Sequence, residues 1–295
     1  MKPNFPYEDF GGTGPLLHFT HANGYPPKAY QRLLSGLSEH YHVLAMHMRP
    51  LWLDSSPEDL HDWRVLAQDL DDFLTQHGST QWIGIGHSVG ANATLRLALS
   101  QPERFSALVL LDPVIFPPYM TYLWEVVYRL GLAYRLHPLV RSALKRRNRF
   151  TSRAEMYENY RSKPVFSRIS DEDLQYYVEA LACPDIDGSV TLCYPSRWEA
   201  RIYVTGIRAD LEIWQRLPEL VPPALVIRGG LSDTFLPVTA KMLAKKQPKI
   251  SILSFSDATH LVPLEKPLEV TRSILDFLGI QENRKIQPHS QPDGV

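Results

Sequence analysis

Cysteine is almost missing from this chain: Cys183 and Cys193 are the only two among 295 residues. Two cysteines cannot staple a small fold together, which excludes a disulfide scaffold. The start of the chain, Met1 to Pro6, has no apolar signal-peptide core, so the expectation is a pair of free thiols and a cytoplasmic location. Clusters of Cys and His at zinc-like spacing are also missing. His18, His21, His40, His42 and His47 crowd the front of the chain but fall on different strands and loops, so no metal and no cofactor are expected. Net charge is nearly absent, at -1, which gives no reason to expect a nucleic acid as partner. No apolar run approaches the roughly 20 residues of a membrane-spanning helix. What is present is the composition of a soluble globular protein, 44% hydrophobic and 21% charged, at a length that suits one large domain or two small ones.

Short apolar runs alternate with amphipathic helical patterns. Leu16–Thr20, Tyr41–Met46, Gln81–Ile85, Ala107–Leu111, Ala224–Arg228 and Ile250–Phe255 read as buried strands. Lys28–His40 and Pro57–His77 read as helices, the latter with Ser56 as N-cap and Pro57 in its first turn, and Pro267–Leu278 reads as the last helix. This alternation predicts an α/β fold with a mostly parallel central sheet covered by helices on both faces. Residues 113–222 break the rhythm. They contain helical stretches rich in aromatics and predict a helical cap or lid inserted into the core, which is formed by 1–112 and 223–280. Residues 281–295 read as a flexible polar tail.

Gly86-His87-Ser88-Val89-Gly90 sits between a strand and a helical run. A Gly-x-Ser-x-Gly in that context is a nucleophile elbow, a turn tight enough to require small residues two places either side of the serine. It exposes the Ser88 hydroxyl at a helix N-terminus, where free N–H groups favour developing negative charge. A serine needs a base, and the base an orienting acid. In the chain order that accompanies this elbow, acid then histidine, Asp233 follows the strand ending at Arg228, and His260 follows the strand ending at Phe255. Asp112, directly after Leu108–Leu111, is the rival acid, and Asp257 a third.

These segments resemble the α/β-hydrolase-fold serine hydrolases, esterase- or lipase-like and lidded, over about residues 15–112 and 222–280. The elbow, Asp233, the run Thr259-His260-Leu261-Val262-Pro263 through Pro267, and His21-Ala22-Asn23-Gly24 carry the resemblance. Only about 14 residues precede Leu16, so the usual first hairpin is shortened or missing. Met46–Trp52 departs from the family's loop at that position. The resemblance implies catalysis by Ser88, His260 and Asp233, with an oxyanion hole from the backbone N–H groups of Val89 and Asn23. His21 braces the early loop or touches substrate, and Phe116, Tyr119 and Trp124 are candidates for an apolar substrate pocket. The expected partner is a small apolar ester or acyl compound. The basic run Arg141–Arg153 reads as a solvated lid face or as a site for an anionic substrate or membrane headgroups. The resemblance implies that epoxide hydrolases and haloalkane dehalogenases place aspartate at the elbow, so Ser88 points to acyl chemistry. Other readings are carbon–carbon bond hydrolysis or cofactor-free peroxidation on the same triad, and a non-catalytic binding protein of this fold.

Overall fold

The computed structural model describes residues 5–78 and 81–279; the tail expected at 281–295 lies outside them. In chain order, β1 (Tyr7–Gly11), β2 (Leu16–Thr20), α1 (Gln31–Ser38), β3 (His42–Met46), α2 (Arg64–Gln76), β4 (Trp82–His87), α3 (Val89–Ser100) and β5 (Phe105–Leu111) form the first part of the core. β9 (Ala224–Gly229), α11 (Pro237–Lys246), β10 (Ile250–Phe255), α12 (Val262–Glu265) and α13 (Pro267–Phe277) complete it. The seven strands run in the order β1-β3-β2-β4-β5-β9-β10. All pairings are parallel except that of β1 with β3. β1 is therefore an antiparallel edge strand on an otherwise parallel sheet. Every residue of β4 and of β9 is buried, as both faces of a helix-covered parallel sheet require. Among the described residues no helix is long and apolar enough to cross a membrane.

The helix expected over Pro57–His77 is broken. A single tight turn at Pro57–Asp59 is followed by extended Leu60, and α2 starts only at Arg64. Ser56 makes no capping bond to the backbone; its hydroxyl donates to Glu58 instead. Leu60 and Trp63 are buried on either side of the break, and the Trp63 indole N–H donates to the Ile202 carbonyl.

Between β5 and its neighbour β9 the chain leaves the sheet. It forms α4 (Pro118–Arg129), α5 (Ala133–Leu136), α6 (Val140–Leu144), α7 (Arg153–Arg161), α8 (Asp171–Leu181), α9 (Ser196–Thr205) and α10 (Asp210–Arg216). The insertion also contains a three-stranded antiparallel sheet absent from the sequence reading, made of β6 (Arg149–Phe150), β7 (Ala182–Pro184) and β8 (Val190–Leu192) in the order β6-β8-β7. The expectation of free thiols fails here. Cys183 and Cys193 are joined in a disulfide that closes the β7–β8 hairpin, because the turn between them brings their backbones to 5.2 Å between Cα atoms.

One buried ion pair ties this insertion to the core. Asp210, fully buried at the start of α10, accepts from the Arg96 guanidinium at 2.6 Å and from the Asn92 amide at 3.1 Å, both on α3. Burial pushes the Asp210 carboxyl above its usual range, opposed by Arg96. Removing one partner of such a pair strands the other's charge in a dry environment. Asp210→Ala is therefore expected to cost about 3–5 kcal/mol of unfolding free energy, read from urea titration.

Candidate active site

The elbow has the geometry its glycines anticipate. Ser88 sits between β4 and α3 at φ 58°, ψ -119°. A side chain at Gly86 would meet the backbone of Gly90 at 2.5 Å, and one at Gly90 would meet the Thr20 carbonyl oxygen at 2.1 Å. Ser88 is buried to 6% exposure. Its hydroxyl lies 2.9 Å from Nε2 of His260, which stands on the loop after β10.

The partner of the other ring nitrogen corrects the sequence reading. His260 Nδ1 lies 2.8 Å from Oδ1 of Asp112, not of Asp233. Asp112 directly follows β5, adopts a φ of 36° and is fully buried. Its other oxygen accepts the Gly229 N–H at 2.8 Å, and Oδ1 also accepts the Ser232 hydroxyl at 2.6 Å. Asp233 is exposed and, among the described residues, accepts only from its neighbour Thr234. The loop after β9 thus offers donors to a carboxylate and turns its own carboxylate to water. Asp257 pairs with Lys266 on the surface. Because the Asp112 carboxylate can only accept, Nδ1 of His260 carries the proton. Nε2 is then the bare nitrogen that accepts the Ser88 hydroxyl. Ser88 and Asp112 are two of the three non-glycine residues with positive φ among the described residues, and strain of this kind gathers at functional sites.

Two buried histidines set the surroundings. His87 Nε2–H donates to the His260 carbonyl at 2.9 Å, so its Nδ1 is bare and accepts the Tyr30 hydroxyl at 2.7 Å. The Tyr30 oxygen in turn accepts the Ala22 N–H at 3.3 Å. His21 donates from Nδ1 to the Ala22 carbonyl and accepts the Met48 N–H at Nε2. Both ring nitrogens of fully buried His21 are thus spent on backbone, as bracing requires and substrate contact does not. Asn23 is held from the insertion: its amide donates to the Glu199 carbonyl and its oxygen accepts from Tyr194. Val89 opens α3, so its N–H has no carbonyl one turn back within the helix.

The remaining candidates are placed less simply. Phe116 is half-buried on the connection between Asp112 and α4, with its carbonyl held by Trp214. Tyr119 faces outward on α4. Trp124 packs into a small apolar cluster within the insertion with Val140, Ala143 and Val204. The basic run is not one solvated face. Arg146 is buried against Glu199, Tyr160 and Tyr177, whereas Arg147 and Arg149 pair with surface carboxylates. Sequence reasoning missed Tyr30, Tyr194 and Ser232. Only Ser232 left a trace, as a hydroxyl just beyond the glycines that end β9. Among the described residues no group of three or more His, Cys, Asp or Glu could hold a metal ion.

Comparison with known proteins adds the context of relatives. The model of the α/β hydrolase family matches residues 17–273. The bifunctional epoxide hydrolase 2 of Sus scrofa is 22% identical over 90% of this chain, which spans only 52% of that protein's length. The esterase YbfF of Escherichia coli is 24% identical over 84% of this chain and 86% of its own. The crystal structure of E-2-(acetamidomethylene)succinate hydrolase superposes with a TM-score of 0.74 at 19% identity, covering 92% of this chain and 94% of that one.

Burial pushes the pKa of His18 and of His21 down to about 3 and that of His87 well below its usual value. In the unfolded chain each titrates near 6.5. Their neutral forms therefore contribute stability that is fully present above about pH 6.5 and lost as pH falls toward 3. Each buried histidine should remove about 1.4 kcal/mol per pH unit in that window. Urea unfolding at successive pH values is expected to show stability falling steadily as the pH drops below about 6.

Proposed function

Since the chain belongs to the α/β hydrolase family, we propose that it is a serine hydrolase cleaving a carboxylic ester of a small apolar substrate. The observation that carries this reading is the continuous hydrogen-bonded line from Ser88 through His260 to buried Asp112. In the proposed reaction the Ser88 oxygen attacks the ester carbonyl while Nε2 of His260 takes the hydroxyl proton. The carbonyl oxygen becomes an oxyanion facing the N–H groups of Val89 and Asn23, each such donor being worth about 3 kcal/mol of barrier. Collapse breaks the bond to the alcohol oxygen, which receives the proton from His260. Water then repeats the sequence on the acyl-enzyme, releasing the acid and restoring Ser88. Asp112 holds the ring with Nδ1 protonated and stabilises the imidazolium that forms at each transfer.

In the same reading residues 113–222 act as a cap that shapes the substrate's surroundings. The grip of Glu199 and Tyr194 on Asn23 supports this, because it couples the insertion to the oxyanion loop. The similarity to an esterase supports the ester bond, and serine rather than aspartate at the elbow favours acyl over alkyl-ester intermediates.

The test is hydrolysis of p-nitrophenyl esters from acetate to palmitate. Ser88→Ala is expected to fold normally and lose several orders of magnitude in kcat, and Asp112→Asn about three to four. Asp233→Asn is expected to stay within about twofold of wild type. An active Ser88→Ala enzyme would overturn the proposal, and a crippled Asp233→Asn with an intact Asp112→Asn would overturn the assignment of the acid. Labelling of Ser88 by a fluorophosphonate without turnover of any ester would keep the nucleophile and displace the ester.

A further inference from the structure

The outer face of α4 exposes apolar side chains where a water-facing helix would carry polar ones. Tyr119, Tyr122, Leu123, Val126 and, at the helix end, Leu130 fall within an arc of about 100° at helical spacing, and they are 54 to 67% exposed. The opposite face of the helix, with Trp124, Val127 and Tyr128, packs on the insertion's own small core. The stripe continues past the helix in Leu132, Tyr134, Leu136 and Leu139, which are 37 to 55% exposed. Single exposed apolar residues are ordinary, but a run this dense marks a surface that meets something.

The charges beside it are of one sign. Between Pro118 and Lys145 the only acid is Glu125, already bound by Arg129 and Arg208. Arg135, Arg141 and Lys145 are exposed and have no carboxylate partner among the described residues. A two-fold contact with a second copy would bring the same excess of positive charge to both sides of the interface. An anionic bilayer fits both features. Tyrosine and leucine side chains settle at the boundary between headgroups and acyl chains, while arginine and lysine reach up to the phosphates. We propose that the α4–α6 face of the insertion docks on the surface of a membrane carrying anionic phospholipids. This docking is independent of the ester chemistry.

The test is sedimentation of the full chain with phosphatidylcholine vesicles, with and without phosphatidylglycerol, at low and high salt. Wild type is expected to sediment with the anionic vesicles, and less so at high salt. Each basic residue near a negative leaflet is worth about fivefold in partitioning, so Arg135→Glu/Arg141→Glu/Lys145→Glu is expected to weaken binding by about a hundredfold or more. Leu123→Ser/Val126→Ser/Leu130→Ser is expected to weaken binding at least about tenfold. All six side chains face solvent, so both variants should keep the wild-type circular dichroism and Tm. Wild type staying in the supernatant with anionic vesicles would overturn the proposal. So would both variants binding as tightly as wild type. A dimer that the serine variant converts to monomer, with no vesicle binding, would assign the face to self-association instead.

Discussion

Everything at the site hangs on one buried carboxylate. Asp112 has no exposed surface, and it is held by a ring N–H from the loop after β10, a backbone N–H at the end of β9 and a hydroxyl from the loop beyond it. A carboxylate that dry is tolerable only when its oxygens are filled with donors. Here the donors come from the ends of separate strands, so satisfying the charge also fixes those strand ends relative to one another. The histidine ring is oriented as a by-product, and with it the nitrogen that meets Ser88. The backbone at Asp112 has a φ of 36°, and from there its side chain reaches the Gly229 N–H at the end of β9.

Behind the ring, neutral histidines do the work that charged groups could not. His87 and His21 each use one nitrogen as donor and the other as acceptor, and only the uncharged imidazole can do both. The line from Ala22 through Tyr30 and His87 to the His260 carbonyl joins the loop that carries Asn23 to the loop that carries the base. The two sides of the site are therefore joined by one hydrogen-bonded line, and the insertion adds a third anchor through Asn23.

The parts legible in the sequence are those with local causes. The elbow declares itself because a backbone contact at Gly90 excludes any side chain, and His260 because its flanking segment has a recognisable form. The parallel sheet follows from uninterrupted apolar strands. The acid was harder, for a geometric reason: β5 and β9 are neighbours, so the loops carrying Asp112 and Asp233 emerge side by side. Which carboxylate turns inward depends on the donors at Gly229 and Ser232, and no spacing encodes that. The Cys183–Cys193 pair was hidden because its hairpin interrupts a stretch whose periodicity is helical. Tyr119 and Trp124 show the same limit, since aromatic spacing identifies a helix face without saying which face meets water.

The chain connections impose an order in time. The bond between Ser88 and His260 spans 172 positions and that between Asp112 and His260 spans 148, so both close very long loops, at an entropic cost that local contacts do not bear. A ribosome delivers Ser88 and Asp112 early, then the whole insertion, and only afterwards β9, β10 and the histidine. Until then the buried carboxylate lacks all three of its donors. The nascent protein accordingly carries a half-built site while 148 further positions are made after Asp112, and completes it only when the last strands join the sheet.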